Sequence, residues 1–323
     1  MSEEENAARP ASPALDDTDK PTVALALGAG GAKGLAHIGV IEEIEAQGFR
    51  IVAIAGSSMG ALIGGIHAVG KLDVYRDWVC ALARFDVLRL VDWTFSGGGL
   101  IKGERIIGTL RGMIGDTIIE ELPLAFTAVA TDLERGREVW LGHGNLFDAI
   151  RASIAVPTVF RPHPLGGRRL VDGALLNPVP VTPLIGADAD YLLAVSMDGP
   201  AETLAAPEPA ESDAGAESSY RQRIGEFIGK LIPHGESVPR TPGTLDTLSQ
   251  AMDLMQANLS RLRLAAYEPD LLIELPRNIA SVYEFYRARE LIERGRLQAR
   301  RALKEWSRSA APIRTPAEST RSV

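Results

Sequence analysis

The sequence predicts an α/β protein built on a mostly parallel sheet with helices over both faces. Three observations carry that prediction. Continuous apolar runs of strand length recur along the chain, the early ones end in glycine-rich turns, and those turns open into helix-length stretches. Strands buried on both faces read in this way, without the alternation of a half-exposed sheet.

Thr22 to Leu27 (TVALAL) is the first such strand, and Gly28 to Gly34 follows it. A helix is expected from about Gly34 to Gln47, with Gly48 as its stop, because glycine readily takes the left-handed turn that ends a helix. Ile51 to Ala55 (IVAIA) is the second strand, and Met59 to Val69 is the helix after it. Further strands are expected at 124–130, 138–141, 169–171 and 191–196, with a helix at 147–155. From Asp198 the composition changes. Residues 198–218 are acidic, rich in Ala and Pro and aperiodic, which predicts a mobile loop. At 220–232, Ile224, Phe227, Ile228 and Leu231 share one helical face, apart from Arg221, Arg223 and Lys230. A helix at 245–264, a short strand at 271–275 and a charged helix at 281–306 complete the ordered part. Residues 1–20 and 308–323 read as solvated tails, so residues 21–307 form one domain.

The 323 residues are ample for a sizeable core. With 34 Lys and Arg against 42 Asp and Glu, the net charge of −8 gives no footprint for nucleic acid. The single cysteine, Cys80, excludes an internal disulfide and a cysteine-based zinc site. The acidic N-terminus lacks the apolar stretch of a leader, and no run of roughly 18 apolar residues follows. A cytoplasmic protein is expected, with 220–232 the best candidate for contact with a membrane surface and packing of its apolar face against the core the equal alternative.

Three motifs carry chemistry. Gly56-Ser57-Ser58-Met59-Gly60 fits G-x-S-x-G with Ser58 at its centre, between an apolar strand and a small-residue helix. A nucleophilic serine needs that context, because the turn is sharp and Gly56 and Gly60 let neighbouring backbones crowd it. Alone the pattern is a weak signal. Gly28-Ala29-Gly30-Gly31-Ala32-Lys33-Gly34 fails the dinucleotide fingerprint, whose last or first glycine falls on Lys33 or Ala29, and fails the P-loop, which needs Ser or Thr after its lysine. What remains is a loop of backbone N–H groups beside a helix N-terminus, an anion cradle suited to an oxyanion. Lys33 reads as a loop-stabilising or lipid-facing cation. The third motif is Leu170-Val171-Asp172-Gly173-Ala174, followed by Asn177-Pro178. By itself it is a common turn; its importance is that Ser58 needs a partner.

Of the five histidines, His37 and His67 fall in the helices after the glycine motifs, and His143 falls in a glycine-rich loop. His163 is close in sequence to Asp172. His234 alone follows Asp172 and preserves the order Ser, Asp, His, but it stands beside a low-complexity stretch. A Ser58–Asp172 dyad is the preferred reading, with the carboxylate taking the hydroxyl proton. It suits esters better than amides, because an alkoxide leaves more readily than an unprotonated amine. A Ser–His–Asp esterase and an inactive scaffold homologue are the alternatives.

Taken together, the three motifs resemble those of the patatin-like phospholipases, the bacterial branch above all. Gly28 to Gly39 and Leu170 to Pro178 are similar to that branch almost residue for residue, and Thr131-Asp132-Leu133 and Ser153 to Pro157 resemble its intermediate segments. Ala29 departs from the plant-type loop, which has glycine there. The resemblance implies a three-layer α/β/α fold and a Ser58–Asp172 dyad, with an oxyanion hole from the amides of Gly30, Gly31 and Ala32. It implies an acyl ester hydrolase of lipids, without metal or cofactor.

Overall fold

The structure is a computed structural model that describes residues 20–82, 103–157, 159–202 and 244–309. The N-terminal tail to residue 19, residues 203–243 with the 220–232 stretch and His234, and the C-terminal tail from residue 310 lie outside the described residues.

Eight strands form one sheet: β1 (Thr22–Leu27), β2 (Arg50–Ser57), β3 (Ala125–Asp132), β4 (Arg137–Leu141), β5 (His163–Leu165), β6 (Arg168–Asp172), β7 (Tyr191–Gly199) and β8 (Leu271–Pro276). Their order is β5-β6-β3-β2-β1-β7-β8, with β4 paired to β3. The run β3-β2-β1-β7-β8 is parallel, whereas β4, β5 and β6 pair antiparallel. The sheet is thus mostly parallel, as the unbroken apolar strands predict.

The strand period of two gives the sheet two unlike faces. Val23, Leu25 and Leu27 join the main core, whereas Ala24 and Ala26 join Ala53, Ala55 and Ala194 on the opposite face. The bulky face is covered by α1 (Ala36–Ala46), α2 (Met59–Ala68), α3 (Leu72–Ala81), α4 (Glu104–Ile114), α5 (Leu146–Ser153) and α7 (Ala288–Ser309). The alanine face packs against Val179, Val181 and Leu184, and against Leu264 of α6 (Thr244–Ala266). Small side chains let that irregular segment lie close to the sheet.

Helices α1 and α7 approach most closely through two glycines. A Cβ on Gly39 would meet the Ile292 carbonyl, and one on Gly295 would meet the Ala36 carbonyl. Beside this crossing, buried Glu43 accepts a forked pair from Arg300 at 2.9 and 2.8 Å. The guanidinium holds the Glu43 carboxyl below its usual range.

Several boundaries differ from expectation. The helix expected from Gly34 begins as a 3-10 turn, Gly31–Leu35, and becomes α1 at Ala36. The last helix starts at Ala288 rather than 281, because the Glu284 side chain accepts the Ser281 N–H at 2.9 Å and pairs with Arg287 in a preceding turn. Strand β7 runs through Asp198 to Gly199, past the point where the composition changes. Helices α3 and α4 and strand β5 have no counterpart in the sequence reading.

Candidate active site

Ser58 is the single residue between β2 and α2. Its backbone has φ 54° and ψ −120°, and it is the one non-glycine at positive φ among the described residues. A non-glycine there stores strain of about 1–3 kcal/mol, held in place by the packing around it. That packing is close: a Cβ on Gly60 would run into the Leu27 carbonyl. The Ser58 N–H donates to Ser153 Oγ at 3.0 Å, and Ser153 Oγ donates to the Val129 carbonyl at 2.6 Å.

Ser58 Oγ donates to Asp172 Oδ2 at 2.6 Å. The other carboxyl oxygen, Oδ1, accepts the Ala174 N–H at 2.8 Å. Both residues are buried, Asp172 to 3% exposure. Burial pushes the Asp172 carboxyl up to about 6, against the opposing pull of the Ser58 and Ala174 hydrogen bonds. The aspartate backbone is held as well: its N–H donates to the Ala155 carbonyl at 3.0 Å, and its carbonyl accepts from Thr131 Oγ1 at 3.0 Å.

The turn after Asp172 is fixed from two sides. Ser57 Oγ donates to the Asn177 carbonyl at 2.5 Å. Asn177 Nδ2 donates to Glu138 Oε2 at 2.7 Å and to Thr182 Oγ1 at 3.2 Å. Arg263 of α6 reaches Glu138 Oε1 at 3.4 Å and the Leu176 carbonyl at 3.0 Å. Sequence reasoning did not single out Glu138 or Arg263, which lie 125 positions apart.

In the glycine loop, the Gly28 and Ala29 N–H groups donate to the carbonyls of Val195 and Pro178, and Lys33 N–H donates to Gly30. The Ala32 N–H, expected as an oxyanion donor, is engaged by the Val282 carbonyl at 3.0 Å. Among the described residues, no hydrogen bond engages the N–H of Gly30 or Gly31. Gly31 has φ +54°, and a Cβ there would also press on Val282, so glycine is required on both counts. Lys33 Nζ donates to the Met197 carbonyl at 3.1 Å, tying the loop to the end of β7. Burial lowers its pKa while Asp198 and Asp253 oppose the shift. That is the arrangement of a loop-stabilising cation.

His37 is fully buried with Nε2 2.7 Å from the Gly28 carbonyl, and burial lowers its pKa to about 4. It is therefore neutral and donates to that carbonyl, bracing the loop. His67, His143 and His163 stand near Glu45, Glu120 and Asp148. Among the described residues, no histidine hydrogen-bonds to Ser58 or Asp172, and no group of three or more His, Cys, Asp or Glu is placed to hold a metal ion.

A family model described as patatin-like phospholipase matches residues 25–185, which span the glycine loop, Ser58 and Asp172. An uncharacterised NTE family protein of Mycobacterium tuberculosis is 38% identical, covering 91% of this chain and 94% of its own. The chain belongs to the patatin-like phospholipase family. The neuropathy target esterase of Drosophila melanogaster is 26% identical over 56% of this chain and 13% of its own length. Among solved structures, VipD from Legionella pneumophila aligns with a TM-score of 0.44 at 15% identity, covering 89% of this chain and 67% of that one. Within this patatin-like domain, a buried carboxyl accepts a hydrogen bond from a hydroxyl on a strained turn at the positive end of α2.

Proposed function

We propose that the protein is a serine acyl ester hydrolase of lipids, with Ser58 as nucleophile and Asp172 as base. The observation that carries this reading is the 2.6 Å hydrogen bond between Ser58 Oγ and the buried Asp172 carboxyl. A carboxylate with a pKa raised to about 6 is a better proton acceptor than a solvated one, while still being ionised at neutral pH.

Ser58 Oγ attacks the ester carbonyl carbon as its proton passes to Asp172 Oδ2. The carbonyl oxygen becomes an oxyanion, which the N–H groups of Gly30 and Gly31 stabilise. As the C–O bond to the alcohol breaks, Asp172 returns the proton to the leaving alkoxide, leaving an acyl-Ser58. Water then attacks the acyl carbon, giving its proton to Asp172. Collapse releases the fatty acid, and Ser58 regains the proton. In this reading the protein is cytoplasmic, and residues 220–232 contact the lipid surface.

The test is hydrolysis of p-nitrophenyl butyrate and of phosphatidylcholine in mixed micelles by wild type, Ser58→Ala and Asp172→Asn. Wild type is expected to cleave an ester, with both variants folded and at least about 10³-fold slower. Activity in Ser58→Ala equal to wild type overturns the mechanism.

A further inference from the structure

Two hydrogen bonds join the end of α5 to Ser58 and Asp172. The Ser58 N–H donates to Ser153 Oγ at 3.0 Å, and two residues on, the Ala155 carbonyl accepts the Asp172 N–H at 3.0 Å. Ser153 Oγ in turn donates to the Val129 carbonyl at 2.6 Å. From this arrangement we infer that Ser153 is a positioning residue for the nucleophile, its hydroxyl holding the Ser58 backbone so that Oγ points at Asp172. This inference deepens the serine hydrolase reading and rests on it.

Chemistry fixes the direction of each bond. A carbonyl only accepts, so the single hydroxyl proton of Ser153 goes to Val129 and its lone pairs face the Ser58 N–H. Ser57 stands opposite Val129 across β2 and β3, so the hydroxyl is inserted where those two strands part. It pairs a donor from one strand with an acceptor from the other. Ser153 and Val129 are 0% exposed and Ser58 is 7% exposed, so bulk solvent is a poor substitute for either bond.

The strained backbone of Ser58 gives this bond its importance. The angle φ is the rotation about N–Cα, so it sets where the side chain points relative to the N–H. With the N–H tied to Ser153 and Oγ tied to Asp172, both ends of that rotation are held. The φ of 54° then relaxes only if one of the two bonds breaks. The strain of a non-glycine at positive φ and the cost of an unpaired buried N–H are of the same order, so one bond suffices to hold the strained form. In the proposed reaction the Oγ proton passes to Asp172 and that tie is lost. The tie to Ser153 persists through the acyl-Ser58 stage, which makes it a determinant of turnover rather than of substrate binding.

The first test compares full-length wild type with Ser153→Ala and Ser153→Cys, each checked for fold by thermal melting. Reaction with a fluorophosphonate is followed for both its extent and its rate. Ser153→Ala is expected to reach one adduct per chain at least about tenfold more slowly. Its kcat for p-nitrophenyl butyrate is expected to fall in step, with KM within about twofold of wild type. A wild-type rate in folded Ser153→Ala overturns the inference. So does a lower extent at the wild-type rate, which marks a role in folding alone. Should Ser153→Ala not fold, Ser153→Cys decides, because a thiol fills the site but accepts weakly, and a wild-type rate there also overturns the inference. The second test needs no activity. Hydrogen exchange at the Ser58 amide is expected to be at least about tenfold faster in Ser153→Ala or Ser153→Cys, with β1 and the rest of β2 unchanged. Unchanged exchange at Ser58 overturns the role. If wild type neither cleaves an ester nor reacts with the fluorophosphonate, the hydrolase reading fails on its own, while exchange still decides whether Ser153 holds Ser58.

Discussion

Ser57 and Asp172 end two strands that meet head to head along one edge of β3. Ser57 stands opposite Val129 and Asp172 stands opposite Ala130, on the side of β3 away from β4. Strand β2 runs parallel to β3 and β6 runs antiparallel to it, so the two chains converge and each must turn away where they meet. Ser58 is the first residue of one turn and Gly173 the first of the other. The 2.6 Å hydrogen bond between Ser58 and Asp172 is therefore set by sheet register rather than by flexible loops.

Gly173 is where this convergence tolerates no side chain. A Cβ there would collide with the Val129 carbonyl and come within 3.0 Å of Ser57 Oγ. Gly173→Ala is expected to cost about 2–4 kcal/mol and to lower esterase activity more than tenfold in the protein that still folds. Urea unfolding together with active-site titration checks this, and a wild-type midpoint with wild-type activity would refute the register argument.

The Asp172 carboxyl must be ionised to act as a base. With its pKa raised to about 6, kcat/KM is expected to climb about tenfold per pH unit below that value and to level off above it. A pH–rate profile for a neutral ester measures this directly. A flat profile between pH 4.5 and 8 would contradict Asp172 as the base.

The same shift has a consequence for stability. The folded state holds a proton on Asp172 up to about pH 6, whereas the unfolded chain releases it near 3.8. Between those values the folded state binds more protons, so stability falls as pH rises through that window and stays lower above it. The full cost is about 2–3 kcal/mol. Asp172→Asn escapes it, and is expected to melt above wild type at pH 7.5, with the gap closing toward pH 4. Coincident melting curves at pH 7.5 would show that burial does not penalise this carboxylate.

Arg263 and Glu138 hold the Leu176–Asn177 turn that follows Asp172. Arg263→Gln and Glu138→Gln are expected to lower kcat about five- to twentyfold with little change in KM, and to shift the pH–rate midpoint. A charge-retaining Arg263→Lys should recover part of the loss. A change in KM alone, with kcat and the pH midpoint at wild-type values, would assign the pair to substrate binding instead.

Much of the fold could be read in the sequence because it depended on local signals. The apolar runs at β1 and β2, the glycine at each turn and the small residues of α2 needed no knowledge of distant contacts. Helices α3 and α4 also carried a legible signal: Leu72, Tyr75 and Val79, and Ile107, Leu110 and Ile114, fall at i, i+3 and i+7. Strand β5 did not, since it is three residues long with Pro164 at its centre, tolerated because it lies at the sheet edge. At the site, Ser58 and Asp172 stood out through their flanking glycines. The pairing of Glu138 with Arg263 and the engagement of the Ala32 amide by Val282 were invisible, because each joins residues more than a hundred positions apart.

The most direct measurement is covalent labelling of the full-length protein by a fluorophosphonate, read by intact mass and peptide mapping. An activated serine displaces fluoride from phosphorus and carries the phosphonyl group, at one adduct per chain. Labelling confined to Ser58, and slowed at least about 10²-fold in Asp172→Asn, is the predicted result. Labelling at another serine, or at Ser58 with equal speed in Asp172→Asn, would contradict the Ser58–Asp172 dyad.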